Sequence, residues 1–192
     1  ELSRSKLYEV EKVNNFRELI ERSVRLYPNK VAFTYKLNPK DTDYITHTYS
    51  ELYSDIKNLG TSLINLGLSG KRIAIIAPNR YEWCVSYLSI TTSGMIVVPL
   101  DKALPDNEIE SSIIRSEAEA VIFDKKYLDI FTKLKQENTS NLKQFICMDF
   151  ENDKNSILSY KKLVENGVNL VNSGNSSYDN VAIDNNSMTI ML

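Results

Sequence analysis

The chain has 192 residues, 42% hydrophobic and 25% charged, with a formal net charge of -2. This is an ordinary balance for a soluble globular domain with a full core and no need of disulfide or metal staples. The charge gives no basic surface for nucleic acid, no apolar run approaches the roughly 20 residues that span a bilayer, and the first residues, Glu1 to Lys6, lack a signal pattern. A cytoplasmic location is the expectation, with peripheral membrane contact left open.

The periodicity predicts an amphipathic helix over 16–26, where Phe16, Leu19, Ile20, Ser23 and Leu26 share a face. Strands follow at Val31–Tyr35 and Tyr44–His47, separated by the turn residues Asn38–Asp41. The best-marked helix carries Leu52, Ile56, Leu59, Leu63 and Leu66 on one stripe. Thr48 and Glu51 stand at capping-box spacing before it, and Gly67 offers a left-handed stop. Arg72–Ala77 is continuously apolar and reads as a strand buried on both faces, ended by Pro78-Asn79.

A helix over 82–92 is predicted with Trp83, Tyr87, Leu88 and Thr91 inward and Gly94 as its stop, then a buried strand over 95–100. A helix beginning near Pro105, at the first helical position, places Ile109, Ile113 and Ile114 inward. Ala120–Phe123 reads as a strand, Tyr127–Gln136 as a helix with Leu128, Phe131 and Leu134 inward, Phe145–Met148 as a strand, and Tyr160–Glu165 as a short helix. Residues 166–186, rich in Asn, Ser and Gly, read as a surface loop. Met188–Leu192 reads as a new buried strand. A core strand starting at the last five residues makes the chain the expected front portion of a larger domain. Strand–helix alternation with short connections predicts an α/β fold, a mainly parallel sheet with helices on both faces.

In such a sheet ligands bind at the carboxyl ends of the strands. None of these strand exits carries Gly-x-Gly-x-x-Gly, a Gly-Lys-Ser/Thr phosphate loop or a Gly-x-Ser-x-Gly elbow. Cys84 and Cys147 read as two buried reduced thiols, and His47 as an exposed strand residue. One histidine with two scattered cysteines does not make a common zinc site. Asp149 with Glu151, and Lys125 with Lys126, read as solvated surface groups. Trp83 and Tyr87 read as core in preference to pocket lining.

Several segments recur in a telling order: Arg17-Glu18-Leu19, Tyr27-Pro28-Asn29-Lys30-Val31-Ala32-Phe33, Thr48-Tyr49-Ser50-Glu51-Leu52, Leu66-Gly67-Leu68, Arg72 through Trp83, and Val97-Val98-Pro99-Leu100-Asp101. This series, over most of residues 7–192, resembles the N-terminal region of the adenylate-forming enzymes. Leu7 to Val10, Pro99 to Glu110 and Ile114 to Glu119 make it look most like a bacterial-type long-chain fatty acyl-CoA synthetase. Lys102, where peptide-synthetase domains often carry proline, points the same way. The resemblance implies residues 1–30 as a helical lead-in and 31–192 as an incomplete AMP-binding-type domain, ending before the phosphate loop.

For a full-length enzyme the resemblance implies ATP, Mg2+, coenzyme A and a fatty acid. The acid would attack the α-phosphate of MgATP to give acyl-adenylate and pyrophosphate, and the thiol of coenzyme A would then displace AMP. The family's phosphate loop follows a strand like Met188–Leu192. Its acidic, ribose-binding and lysine motifs lie beyond. No catalytic, cofactor-binding or metal residue is therefore assigned here, and Pro99-Leu100-Asp101 read as a strand end and turn. The chain alone is expected to be inactive and to bind none of these cofactors strongly. Two alternatives stand beside this reading: a self-contained small-molecule-binding module, and an interaction piece that self-associates through a sheet edge near Leu192.

Overall fold

A computed structural model describes residues 11–192. Leu7–Val10 lie outside the described residues. Helix α1 (Phe16–Leu26) is capped by Asn15, whose side chain accepts from the Glu18 amide. Strands β1 (Val31–Tyr35) and β2 (Ile45–Thr48) form a separate antiparallel hairpin, with a bulge between Val31 and Phe33. Thr48 then opens α2 (Tyr49–Asn65) with both halves of the capping box in place. Gly67, at a φ of 77°, takes the left-handed position that turns the chain out of α2.

The main sheet holds β3 (Arg72–Ile76), β4 (Ile96–Pro99), β5 (Ala120–Phe123), β6 (Gln144–Cys147) and β7 (Leu158–Ser159), in the spatial order β4-β3-β5-β6-β7, all parallel. Its two faces are buried by different helices, as the continuously apolar strands require. Ile73, Ile75, Val97 and Ile122 face a core built with α2, α3 (Tyr81–Thr92) and α6 (Tyr160–Asn172). Ala74, Ile76, Val121 and Phe123 face the opposite core, built with α4 (Asp106–Ser116) and α5 (Leu128–Glu137). The expected α/β class, a parallel sheet with helices on both faces, is the observed one.

The differences have physical reasons. Helix α6 runs on to Asn172, and a short α7 (Ser177–Asn180) follows, inside the stretch 166–186 expected as loop. The Asn- and Gly-rich composition hides an inward line of Tyr160, Leu163 and Gly167, at helical spacing. In α3 the expected Trp83, Tyr87 and Leu88 are only half-buried, on the flank facing α1. The deepest line is Tyr81, Val85, Ser89 and Thr92. Ser89 can be buried because its hydroxyl donates to the Ile56 carbonyl at 3.0 Å.

Pro105 caps α4 from just outside, and Ile114 is exposed while Ser116 turns inward. Residues 125–127 form a 3-10 turn ahead of α5, and Ile130 takes the inward place expected of Leu128. Cys84 is half-buried, and Cys147 fully buried. His47 is not simply exposed: its ring stacks on Tyr81 with centroids 3.9 Å apart. Met188–Leu192, expected as a buried strand, forms a single bridge with none of its residues fully buried. Ile190 bridges Val97 in parallel, with Val97 N–H on the Thr189 carbonyl and Met191 N–H on the Val97 carbonyl, each 2.9 Å, while Met188 and Leu192 are exposed.

Gly167 marks the closest helix–helix approach. A Cβ there would sit 2.0 Å from the backbone oxygen of Asn58. Alanine normally favours a helix over glycine by about 1 kcal/mol. Gly167→Ala is instead expected to lose about 2–3 kcal/mol of stability. Urea unfolding checks it; a neutral or stabilised variant would show that α2 and α6 are not in backbone contact.

Candidate functional site

The chain steps from β3 to β4 on one side and then returns to place β5 on the other side of β3. The carboxyl ends of β3 and β5 therefore flank the point where the winding reverses, the usual ligand crevice of a doubly wound sheet. Pro78-Asn79 stop β3 and swing Arg80 across the exits of β3, β5 and β6. Its guanidinium donates to Glu82 at 2.8 Å, Asp124 at 2.8 Å and Asp149 at 2.7 Å. The second oxygen of Asp149 accepts the Lys125 amide at 2.7 Å. Burial opposes the charge on Arg80, but the hydrogen bonds to Glu82 and Asp149 outweigh it and raise its pKa further.

In this crevice Arg80 is thus partnered from within the chain. The position where a parallel sheet would offer a cation and helix amides to a phosphate is taken by the carboxylates of Asp124 and Asp149. Asp149 is exposed, as the sequence suggests, but holds Arg80 and the Lys125 amide at once; Lys125 and Lys126 are exposed at the 3-10 turn as expected. Arg80 lies within the residues that carry the family resemblance, yet sequence reasoning gave it no role. Its place directly after a strand-ending Pro-Asn is the one available signal.

Beside Arg80 a cleft of about 490 Å³ opens between α2, α3, α6 and the β6–β7 connection, with Val85, Met148 and Tyr160 on its walls. Each charged group on its rim has a partner. Asp55 accepts from the Tyr81 hydroxyl at 2.8 Å, Glu151 pairs with Lys161, and Glu165 pairs with Lys162. The charged groups of the rim are thus paired within the chain, and no convergent set of unpartnered charges marks it.

The other candidates for chemistry fare no better. Burial raises the thiol pKa of both Cys84 and Cys147, the direction of inert thiols. His47 stacks on Tyr81, with its Nε2 3.4 Å from the Tyr35 hydroxyl and no nucleophile to serve. No group of three His, Cys, Asp or Glu among the described residues is placed to hold a metal ion. Trp83 and Tyr87 stack on each other 5.3 Å apart and face Phe16. They pack; they line no cleft. Among the described residues no helix is long and apolar enough to cross a membrane.

Two outcomes follow from this geometry. Arg80→Met strands the three carboxylates of Glu82, Asp124 and Asp149 and is expected to cost about 2 kcal/mol in chemical unfolding; an unchanged midpoint would mean that the network holds nothing together. Burial raises the carboxyl pKa of Asp55 above its ordinary 3.8, with the Tyr81 hydrogen bond acting against the shift. A raised folded-state pKa contributes stability below 3.8 that is lost as pH rises through the folded value. Asp55→Asn, which can still accept from Tyr81, should therefore be more stable than the parent at pH 7, and the advantage should shrink on acidification. A pH-independent difference would refute the burial penalty.

The family model described as AMP-binding enzyme matches residues 20–191. Among curated relatives, the chain is 27% identical over 126 residues to 4-hydroxyphenylalkanoate adenylyltransferase of Mycobacterium marinum, covering 62% of this chain and 20% of that protein. It is 26% identical over 140 residues to long chain acyl-CoA synthetase 4 of Arabidopsis thaliana, covering 71% and 21%. The chain thus spans about a fifth of the length of these relatives. Its fold is that of the anthranilate CoA ligase AuaEII solved with anthranoyl-AMP, at 20% identity and a TM-score of 0.67, over 79% of this chain and 28% of that one. The same holds for the N-terminal domain of FACL13 from Mycobacterium tuberculosis, at 16% identity and a TM-score of 0.61, over 91% and 38%. With a family match over residues 20–191 and this five-stranded sheet, the chain belongs to the AMP-binding enzyme family.

Proposed function

We propose that these residues are the front, non-catalytic part of an ATP-dependent acid–thiol ligase that acts on long-chain fatty acids. The observation that carries this reading is the family match over 20–191 combined with strand exits that are internally satisfied. The first gives the reaction class. The second supports assigning the ATP, Mg2+ and coenzyme A chemistry to segments that follow in a full-length enzyme. In that enzyme this part supplies a rigid sheet, and the segment after Leu192 supplies the phosphate loop. The long-chain preference rests on the likeness of Pro99 to Glu110 and Ile114 to Glu119 to fatty acyl-CoA synthetases. Residues 1–30 serve as a helical lead-in and 31–192 as the incomplete AMP-binding-type domain.

ATP–pyrophosphate exchange tests the reading on two proteins, the 192-residue chain and the product of the reading frame extended past Leu192. The extended protein is expected to exchange with long-chain acids in preference to short-chain and aromatic ones, and the 192-residue chain not at all. Exchange by the 192 residues alone would move the catalytic site into them. An extended protein without exchange on any acid would remove the ligase assignment.

A further inference from the structure

One guanidinium outside the strand-exit network holds three separate backbone carbonyls. Arg17, half-buried on α1, donates to the Thr92 carbonyl from Nε at 2.8 Å and from Nη2 at 2.5 Å. It donates to the Tyr178 carbonyl at 2.7 Å and to the Val181 carbonyl at 3.3 Å. Thr92 ends α3; Tyr178, whose carbonyl also accepts the Val181 amide at 3.4 Å, lies within the short α7, and Val181 follows it. The planar fork of arginine can meet several such oxygens at once, as a lysine ammonium on a flexible stem cannot.

The grip continues below the guanidinium. Its carbon lies 4.4 Å from the centroid of the Tyr178 ring. Tyr178 is buried, and its hydroxyl donates to Thr92 Oγ1 at 2.8 Å. Its ring fills the space over Gly60, where a Cβ would come within 2.7 Å of it. Val181 rests on Gly94 in the same way, with Cγ1 2.8 Å from where a Cβ would stand. A second tie runs from the same end of α1, where the Asn15 amide donates to the Asn185 side chain at 2.9 Å.

Residues 178–185 are thus fixed to the junction of α3 and β4 by α1. A few residues later the chain meets the edge of β4 through a single parallel bridge, Val97 with Ile190. One bridge fixes register weakly, so the anchor upstream decides where residues 188–192 arrive. We infer that Arg17 is a positioning residue whose clamp on Tyr178 and Val181 sets the placement of residues 188–192 against β4. The catalytic consequence, placement of a phosphate loop after Leu192, rests on the ligase reading; the clamp itself does not.

Peptide-resolved hydrogen exchange on the 192-residue chain tests it with Arg17→Ala and Arg17→Lys. In Arg17→Ala the peptides spanning 182–192 and Val97 are expected to exchange about tenfold faster, while peptides of β3 and β5 keep their protection. Arg17→Lys should fall between the parent and the alanine variant, and answers the question if the alanine variant does not fold. Unchanged exchange at 182–192, or an equal rise in β3 and β5, overturns the clamp. In the extended enzyme the arginine variants should lower the pyrophosphate exchange rate at saturating acid with little change in KM for the acid. Selective exchange in a protein without any ligase activity would uphold the clamp and remove the ligase reading instead.

Discussion

Helix α2 can lie against α3, α6 and α7 at backbone distance only because it turns small and polar residues inward. Asn58, Gly60, Thr61 and Ser62 are all buried on it. Gly167 brings α6 onto the Asn58 backbone, Gly60 admits the Tyr178 ring, and the Ile56 carbonyl takes the Ser89 hydroxyl of α3. Larger apolar residues at these positions would push the helices apart and open the face of the sheet that carries Ile73, Ile75 and Ile122.

Burying the hydroxyls of Thr61, Ser62 and Ser89 is tolerable here because each of the three finds a carbonyl that helix geometry leaves able to accept a second bond. Ser62 donates to the Leu163 carbonyl at 2.6 Å and Thr61 to the Lys57 carbonyl at 2.8 Å. A buried hydroxyl left without a partner would cost about 1–3 kcal/mol, which would make so polar a helix interface untenable. The opposite face of the sheet solves the same problem with bulk: Phe123 and Phe131 meet with ring centroids 4.7 Å apart, and Ile109, Ile113 and Leu134 close around them. The two faces thus follow different packing rules, close backbone approach on one and large side chains on the other.

That difference governs what the sequence discloses. The strands β3 and β5 and the helices that meet the bulky face are legible, since continuous apolar runs and the recurrence of Ile109, Ile113, Phe131 and Leu134 report burial directly. The capping box at Thr48 and Glu51 and the stops at Gly67 and Gly94 are legible because each has a local stereochemical cause. The close-approach face is not. Serine at 86 and 89 and glycine at 167 look like surface or loop residues until the neighbouring backbone is known. For that reason the buried line of α3 and the full length of α6 escape a reading by hydrophobicity. Arg17 and Arg80 escape it too, because their partners lie on other elements, between 44 and 164 positions away except for Glu82.

The two arginines mark opposite solutions at the two ends of the sheet strands. At the carboxyl ends Arg80 gathers Asp124 and Asp149 from the exits of β5 and β6. At the amino end of β4, near Ser93 and Gly94, Arg17 draws the returning chain onto the body by its carbonyls, without any acidic partner. Carboxylates around a cation settle charge locally; carbonyls around a cation fix a path of the backbone. Two arginines of one charge thus do different work in one fold: Arg80 ties side chains together across three strand exits, and Arg17 ties the backbone of residues 178–181 to the end of α3.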